Sequence, residues 1–224
     1  MTDPTPSGAR GRTVVLAGAT SAAGLAVART LHAAGGRVIA TGRSADRLHD
    51  LSATGARVEV ADATSLADMT ALAERLAAEG ATVDAVLPLV GGWRGGGGLE
   101  GQSDEDLAAL LPALEAVRAT SRAFDAALRA SDAGRFVVVS STAVGRPLAG
   151  GANYTAVKAA SEAWTRAVAQ GFAKAAREAG EPLRTASVVL RARALDPDQL
   201  AARVARLWDE DAGELNDRIL DLDG

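Results

Sequence analysis

Between Thr13 and Leu222 the chain alternates short apolar runs with longer stretches of helical period, and no other feature constrains the fold as strongly. Apolar runs of roughly four to eight residues bounded by turn residues read as buried strands. Seven stand out: Thr13–Ala17, Arg37–Thr41, Arg57–Ala61, Val83–Val90, Phe136–Val139, Leu183–Leu190 and Arg218–Leu222. Helical stretches separate them, one running to about Ala34, then Asp46–Ala53, about Ser65 to Glu79, one following an N-cap at Ser103, one through Tyr154 to about Ala179, and one from Pro197. Leu107, Leu110, Leu111 and Leu114 lie at helical spacing, and Pro112 should break that helix or start another. Such alternation predicts an α/β fold, a doubly wound, mainly parallel sheet with helices on both faces, in one domain over 13–224. Residues 1–12, rich in Pro, Gly and Ser with no apolar period, read as a mobile tail.

Two stretches carry chemistry. The first β-α-β unit has a glycine turn, Gly18-Ala19-Thr20-Ser21-Ala22-Ala23-Gly24, at the carboxyl end of its first strand. There, helix N-terminal N–H groups can meet a pyrophosphate, although an ordinary strand-to-helix turn has the same appearance. The second stretch, Phe136–Gly171, passes from an apolar strand through a Gly-rich loop into a long Ala-rich helix. Ser141 ends the strand, Tyr154 follows thirteen residues on, and Lys158 four further. Tyr154 and Lys158 therefore share a helix face one turn apart. A phenol beside an ammonium favours phenolate and can pass a proton to or from a substrate oxygen. The bland reading is a packed Tyr and a solvated Lys. Composition opposes it: Tyr154 is the only tyrosine, and Lys158 is one of two lysines against 22 arginines.

Ser141, Tyr154 and Lys158, with the Gly18–Gly24 turn, resemble the short-chain dehydrogenase/reductase family over nearly the whole chain. The resemblance implies a Rossmann-like, three-layer α/β/α domain and an NAD(P)-dependent oxidoreductase interconverting a carbonyl and a secondary alcohol. It implies Tyr154 as general acid/base, Ser141 orienting the substrate oxygen in the pocket, and Lys158 holding the nicotinamide ribose. Cofactor contacts are expected at Gly18, Thr20, Ser21, Ala22, Gly24, Arg43, Asp62, Ala63, Gly91 and Gly92, as well as Tyr154 and Lys158. NAD-preferring relatives end the second strand with an acid; this chain has Gly42 and Arg43. A carboxylate repels a 2′-phosphate and a guanidinium binds it, so NADP(H) is expected over NAD(H). Asp62 reads equally as a turn residue before the next helix, and Trp93 as a pocket wall or a cover for the sheet edge. The resemblance also implies a homodimer or homotetramer in which the helix through Tyr154 packs against a copy of itself; the small-residue face of Ala156, Ala159, Ala160 and Ala163 suits that, and equally suits ordinary packing against the sheet.

The chain also departs from the family pattern. Ala22 replaces the middle glycine, Pro88-Leu89-Val90-Gly91 replaces Asn-Asn-Ala-Gly, and about Leu114 a relay asparagine is missing. Arg191-Ala192-Arg193 stands where Pro-Gly and a substrate lid are usual, leading directly to Pro197. Arg191 and Arg193 read as solvated surface or as ligands for an acidic group. Gly95–Gly98 reads as a flexible loop. These departures keep a second reading open, a nucleotide-binding partner subunit or a non-redox dehydratase, isomerase or cyclase on the same scaffold.

Several classes are excluded or disfavoured. A net charge of −4 and a pI near 5.3 oppose a nucleic-acid surface. With no cysteine there are no disulfides or thiolate ligands, which suits the cytoplasm. His32 and His49, the only histidines, fall in helical stretches near the N-terminus, so neither a Ser-His-Asp triad nor a metal site is expected. No stretch is apolar enough for a membrane span.

Overall fold

The structure, a computed structural model, describes residues 8–222. Strands β1 (Thr13–Ala17), β2 (Arg37–Gly42), β3 (Arg57–Val60), β4 (Ala85–Pro88), β5 (Arg135–Ser141), β6 (Ala186–Ala192) and β7 (Ile219–Asp221) form one parallel sheet. Its order is β3-β2-β1-β4-β5-β6-β7. Side chains alternate between its faces with the two-residue period of a strand. Val14 and Leu16 pack with α1 (Ala22–Ala33), α2 (Ala45–Ser52), α6 (Pro197–Ala205) and the short α7 (Ala212–Leu215). Val15 and Ala17 pack with α3 (Leu66–Ala78), α4 (Asp104–Ala130) and α5 (Ala152–Ala179). The doubly wound sheet expected from the sequence is present, in three layers.

Because β1 lies between β2 and β4, the chain winds outward in both directions from it, leaving a crevice at the carboxyl ends of these strands. Leu89 N–H donates to Ala17 O at 2.8 Å, so by strand alternation the neighbouring Pro88 nitrogen faces β5 with no hydrogen to offer. The β4–β5 register stops at Val86–Phe136, although β5 continues to Ser141.

Several local expectations change. Pro112 neither breaks nor restarts a helix: α4 runs through it for 27 residues. Burial of Leu110, Ala113, Ala116 and Val117 on both sides of Pro112 outweighs the lost backbone bond. β6 begins at Ala186 rather than Leu183, and β4 stops at Pro88. The tail expectation for 1–12 lies outside the described residues up to position 7; from Gly8 onward the chain is packed. Ala9 is fully buried, and Arg12 pairs with Asp132 and, at 3.3 Å, with Asp84. Asp84 also accepts from Thr13 N–H at 2.8 Å and Ser131 Oγ at 2.7 Å, tying β1 and the end of α4 to the foot of β4.

Also at the foot of the sheet, Arg135 is 3% exposed, with no carboxylate among the described residues bonded to it. Its guanidinium donates instead to the carbonyls of Gly134, Arg184, Leu207 and Glu210, at 3.0, 3.2, 3.1 and 3.1 Å. Burial, helped by the charge of Arg12, lowers its pKa to about 10. At the outer edge, β3 carries Arg57 and Glu59, which join Arg75 and Glu79 of the α3 end in one ion-pair network.

Candidate active site

The glycine turn is shaped by contacts that leave no room for side chains. Gly18 has φ +76°, and a Cβ there would come within 2.5 Å of Val90 Cγ2. A Cβ on Gly24 would lie 2.0 Å from Ala19 O, so helix α1 could not start against the turn. Thr41 fastens the turn to β2: its Oγ1 accepts from Gly18 N–H at 3.1 Å and its carbonyl from Ala19 N–H at 2.9 Å. Ser21 caps α1 by accepting from Gly24 N–H at 3.3 Å. Ala22, the departure from the usual glycine, is exposed on the cleft wall, so its methyl meets the cleft rather than protein.

Above the turn lies a cavity of about 520 Å³. Gly18, Thr20, Ser21, Arg43, Asp62, Ala63 and Gly91 all line it. Gly42, where an acid was sought, is enforced by packing, because a Cβ would lie 2.8 Å from Thr20 Cγ2 and 3.1 Å from Leu48 Cδ2. Ser44 and Arg47 add to Arg43 at this end, and Ser44 holds the N-cap of α2 without a side-chain capping bond. Two guanidinium groups and a hydroxyl at a helix start suit a phosphate. Asp62 takes its place in the turn before α3, where Oδ1 accepts from Thr64 N–H and Oγ1 at 2.9 and 2.8 Å, and the residue also lines the cavity.

A second cavity, about 500 Å³, shares Ser21, Leu89, Val90 and Gly91 with the first, so the two form one cleft. Tyr154 and Lys158 line it, with Gly92, Trp93, Ser140, Arg193 and Leu195. Trp93, 62% exposed, stands at the mouth. Lys158 Nζ donates to Val139 O at 2.9 Å and sits 5.8 Å from the Tyr154 ring centroid. Burial lowers the Lys158 pKa to about 8, against an opposing pull from the charge of Glu162.

Ser141 is 5% exposed and is not among the residues lining the cleft. Its Oγ accepts from Ala143 N–H at 3.2 Å, capping the 3-10 turn after β5. Where the relay asparagine was sought, α4 presents an apolar surface: Leu107, Leu110, Ala113 and Leu114 cluster with Tyr154 and Val157. Ala113, not Leu114, lines the cleft.

Two stretches expected to be loose are held. Gly96 N–H donates to Gly150 O at 2.7 Å, and Gln102 Nε2 donates to the carbonyls of Gly96, Gly98 and Gly150. Gln102 Oε1 accepts from Asn153 N–H at 3.1 Å, joining the glycine run to the start of α5. Arg191 is not solvated surface: its Nε and Nη2 donate to the buried Glu162 carboxylate at 2.8 and 2.6 Å. Glu162 had no signal in the sequence beyond its place one turn after Lys158.

Among the described residues there is no cluster of His, Cys, Asp or Glu able to hold a metal, and no helix long and apolar enough to cross a membrane.

No curated protein sequence matches the chain. Solved structures do. A short chain dehydrogenase from Salmonella enterica serovar Typhi CT18 is 19% identical with TM-score 0.83, over 100% of both chains. A Shigella flexneri 2a structure complexed with NADP is 19% identical with TM-score 0.83, over 98% of this chain and 100% of that one. A metagenomic short-chain oxidoreductase in complex with NADP is 27% identical with TM-score 0.76, over 96% and 97%. The family model described as short chain dehydrogenase matches residues 12–176, and with most of the chain so covered the protein belongs to the short-chain dehydrogenase/reductase family of NAD(P)-binding oxidoreductases.

Proposed function

We propose that the protein is an NADP(H)-dependent oxidoreductase interconverting a small-molecule carbonyl and a secondary alcohol, with Tyr154 as its general acid/base. The observation that carries this reading is the continuous cleft from the glycine turn and Arg43 to Tyr154 and Lys158. Gly18, Thr20, Ser21, Ala22, Gly24, Asp62, Ala63, Gly91 and Gly92 would hold the dinucleotide, with Arg43 and Arg47 toward a 2′-phosphate. When bound, the cofactor supplies the hydride to the carbonyl carbon. Tyr154 gives its phenolic proton to the oxygen as the C–O π pair settles there, and reverses this in oxidation. Lys158, fixed by Val139 O, keeps a positive charge beside that phenol. Ser141 Oγ accepts from Ala143 N–H, which leaves its own O–H to donate, and its buried side chain would have to open toward the cleft to orient a substrate oxygen. Two NADP complexes among the similar structures support the cofactor choice. The exposed Ala156, Ala160 and Ala163 of α5 support self-association as a homodimer or homotetramer.

The apolar α4 surface behind Tyr154, where a relay residue is missing, favours one competitor, a nucleotide-binding partner subunit with no turnover of its own. Cofactor fluorescence on titration with NADPH and NADH, followed by a carbonyl screen, separates the readings. NADPH should bind at least about tenfold tighter than NADH, with Arg43→Ala removing most of the difference. Tyr154→Phe should lower carbonyl reduction by about 100-fold or more with NADPH affinity kept. Full activity in Tyr154→Phe would refute the assignment of the acid; NADPH binding with no turnover across the screen would favour the competitor, and turnover with no NADPH consumed would point to acid/base chemistry without net redox.

A further inference from the structure

One helical turn beyond Lys158 lies a part-buried ionic cluster that the proposed proton transfer does not use. Ser140 of β5 and Arg191 of β6 are register partners, so both side chains leave the sheet on the same face, toward α5. There they meet one carboxylate. Ser140 Oγ donates to Glu162 Oε1 at 2.6 Å, and Arg191 donates to Oε1 and Oε2 at 2.8 and 2.6 Å. Glu162 is 5% exposed and stands one helical turn after Lys158 on the same face of α5. Lys158 in turn reaches the carbonyl of Val139, the residue before Ser140. The cluster thus grips β5, β6 and α5 together where the lysine is anchored.

We propose that Glu162 is a positioning residue for Lys158: its buried carboxylate keeps the ammonium charged in a site that strips it of water, and Arg191 limits that influence by sharing the carboxylate. The proposal rests on the reading of Tyr154 and Lys158 as the working pair. Other charged or titratable groups surround Lys158 from each neighbouring element. Tyr154 lies a turn before it on α5, and Arg166, paired with Asp217, a turn beyond Glu162. Arg193 lines the cleft after β6, and Asp221 of β7 is the register partner of Arg191. From α4, Leu107, Leu110, Ala113 and Leu114 cluster with the neighbouring Tyr154 and Val157, and none of the four is ionisable. Glu162 is therefore the anion on the lysine's own helix face, and Arg191 the cation bound to it. The depressed Lys158 pKa, lowered by burial and raised back by Glu162, agrees with this arrangement.

A bracing role and an electrostatic role make different predictions. Removing the carboxylate makes the potential at Lys158 more positive, so the proton leaves at lower pH; removing the guanidinium does the reverse. A brace would loosen in both cases, with no opposite signs. The chain has two lysines, so protein carrying 13C at lysine Cε gives two signals, Lys158 and the exposed Lys174 paired with Glu178. In an NMR pH titration, Glu162→Gln should move the Lys158 transition down by about half a pH unit or more, and Arg191→Gln should move it up by a similar amount. The double variant should return near the wild-type midpoint, with Lys174 unmoved in all three. Shifts of the same sign, or none, overturn the proposal. If Glu162→Gln fails to fold, Arg191→Gln decides alone, an upward shift supporting the proposal and any other result refuting it. These readouts need no turnover. Activity retained in Tyr154→Phe would therefore sink the acid/base reading while leaving the Lys158 shifts to be judged separately.

Discussion

Lys158 destabilises the fold that holds it. Its pKa falls from 10.5 to about 8 because burial penalises the ammonium. Between those values the unfolded chain binds more protons than the folded one, so stability rises with pH across the window. Below about 8 the penalty is present in full. Lys158→Met should therefore raise stability near neutral pH by on the order of 2 kcal/mol, after allowance for the lost bond to Val139 O. The gain should shrink as pH climbs toward 10.5; urea unfolding of both proteins at neutral and alkaline pH checks it. At this scale, legibility followed sequence distance. Tyr154 and Lys158 lie one turn apart, so helical geometry alone placed them together. Arg191 and Glu162 are separated by 29 positions, and only the packing of α5 over the paired Ser140 and Arg191 of β5 and β6 brings them together. In a chain with 22 arginines, one half-buried guanidinium leaves no mark. Likewise, that Ser140 rather than Ser141 lines the cleft depends on the exact end of β5 and the turn that follows.

Among elements, the loop after β4 departs most from its sequence reading. Four successive glycines look unconstrained, yet here their freedom lets the chain adopt φ values of +159°, +126°, +64° and +65° and fold onto the entry to α5. Gln102 then secures the fold by accepting from Asn153 and donating to three carbonyls. Gln102→Ala should cost about 1–2 kcal/mol, and exchange should accelerate at the amides of Gly96 and Asn153. Unchanged exchange at both amides would show that the glycine run holds itself. Partners some 50 residues away made this clamp invisible beforehand. Pro112 misled for a different reason: local propensity pointed to a break, and tertiary burial of the surrounding helix prevailed.

For the molecule as a whole, the strand-helix alternation was sufficient to predict the layers and the parallel sheet, because each period is a local property. The stretch between α6 and β7 was not read, since its structure comes from a distant side chain. Arg135 at the start of β5 holds the carbonyls of Leu207 and Glu210, and so fastens the turn before α7 to the foot of the sheet. Arg135→Leu would leave those carbonyls without their donor and should lower stability by about 3 kcal/mol, or roughly 6–12 °C in Tm. Arg135→Lys should recover only part of this, because one ammonium cannot reach every carbonyl of the fork. A calorimetric scan that places Arg135→Leu level with wild type would show that the turn stands without it.

The ion pairs on β3 have a bearing on how copies of the molecule behave when crowded. An open sheet ends in unsatisfied backbone groups that invite a further strand, the first step toward aggregation. At this edge an incoming strand would have to strip water from Arg57, Glu59, Arg75 and Glu79 at once, against the single exposed apolar side chain of Val60. At the opposite edge β7 offers only three residues. The sheet is thus guarded by charge on one side and by brevity on the other, which keeps concentrated protein from polymerising edge to edge.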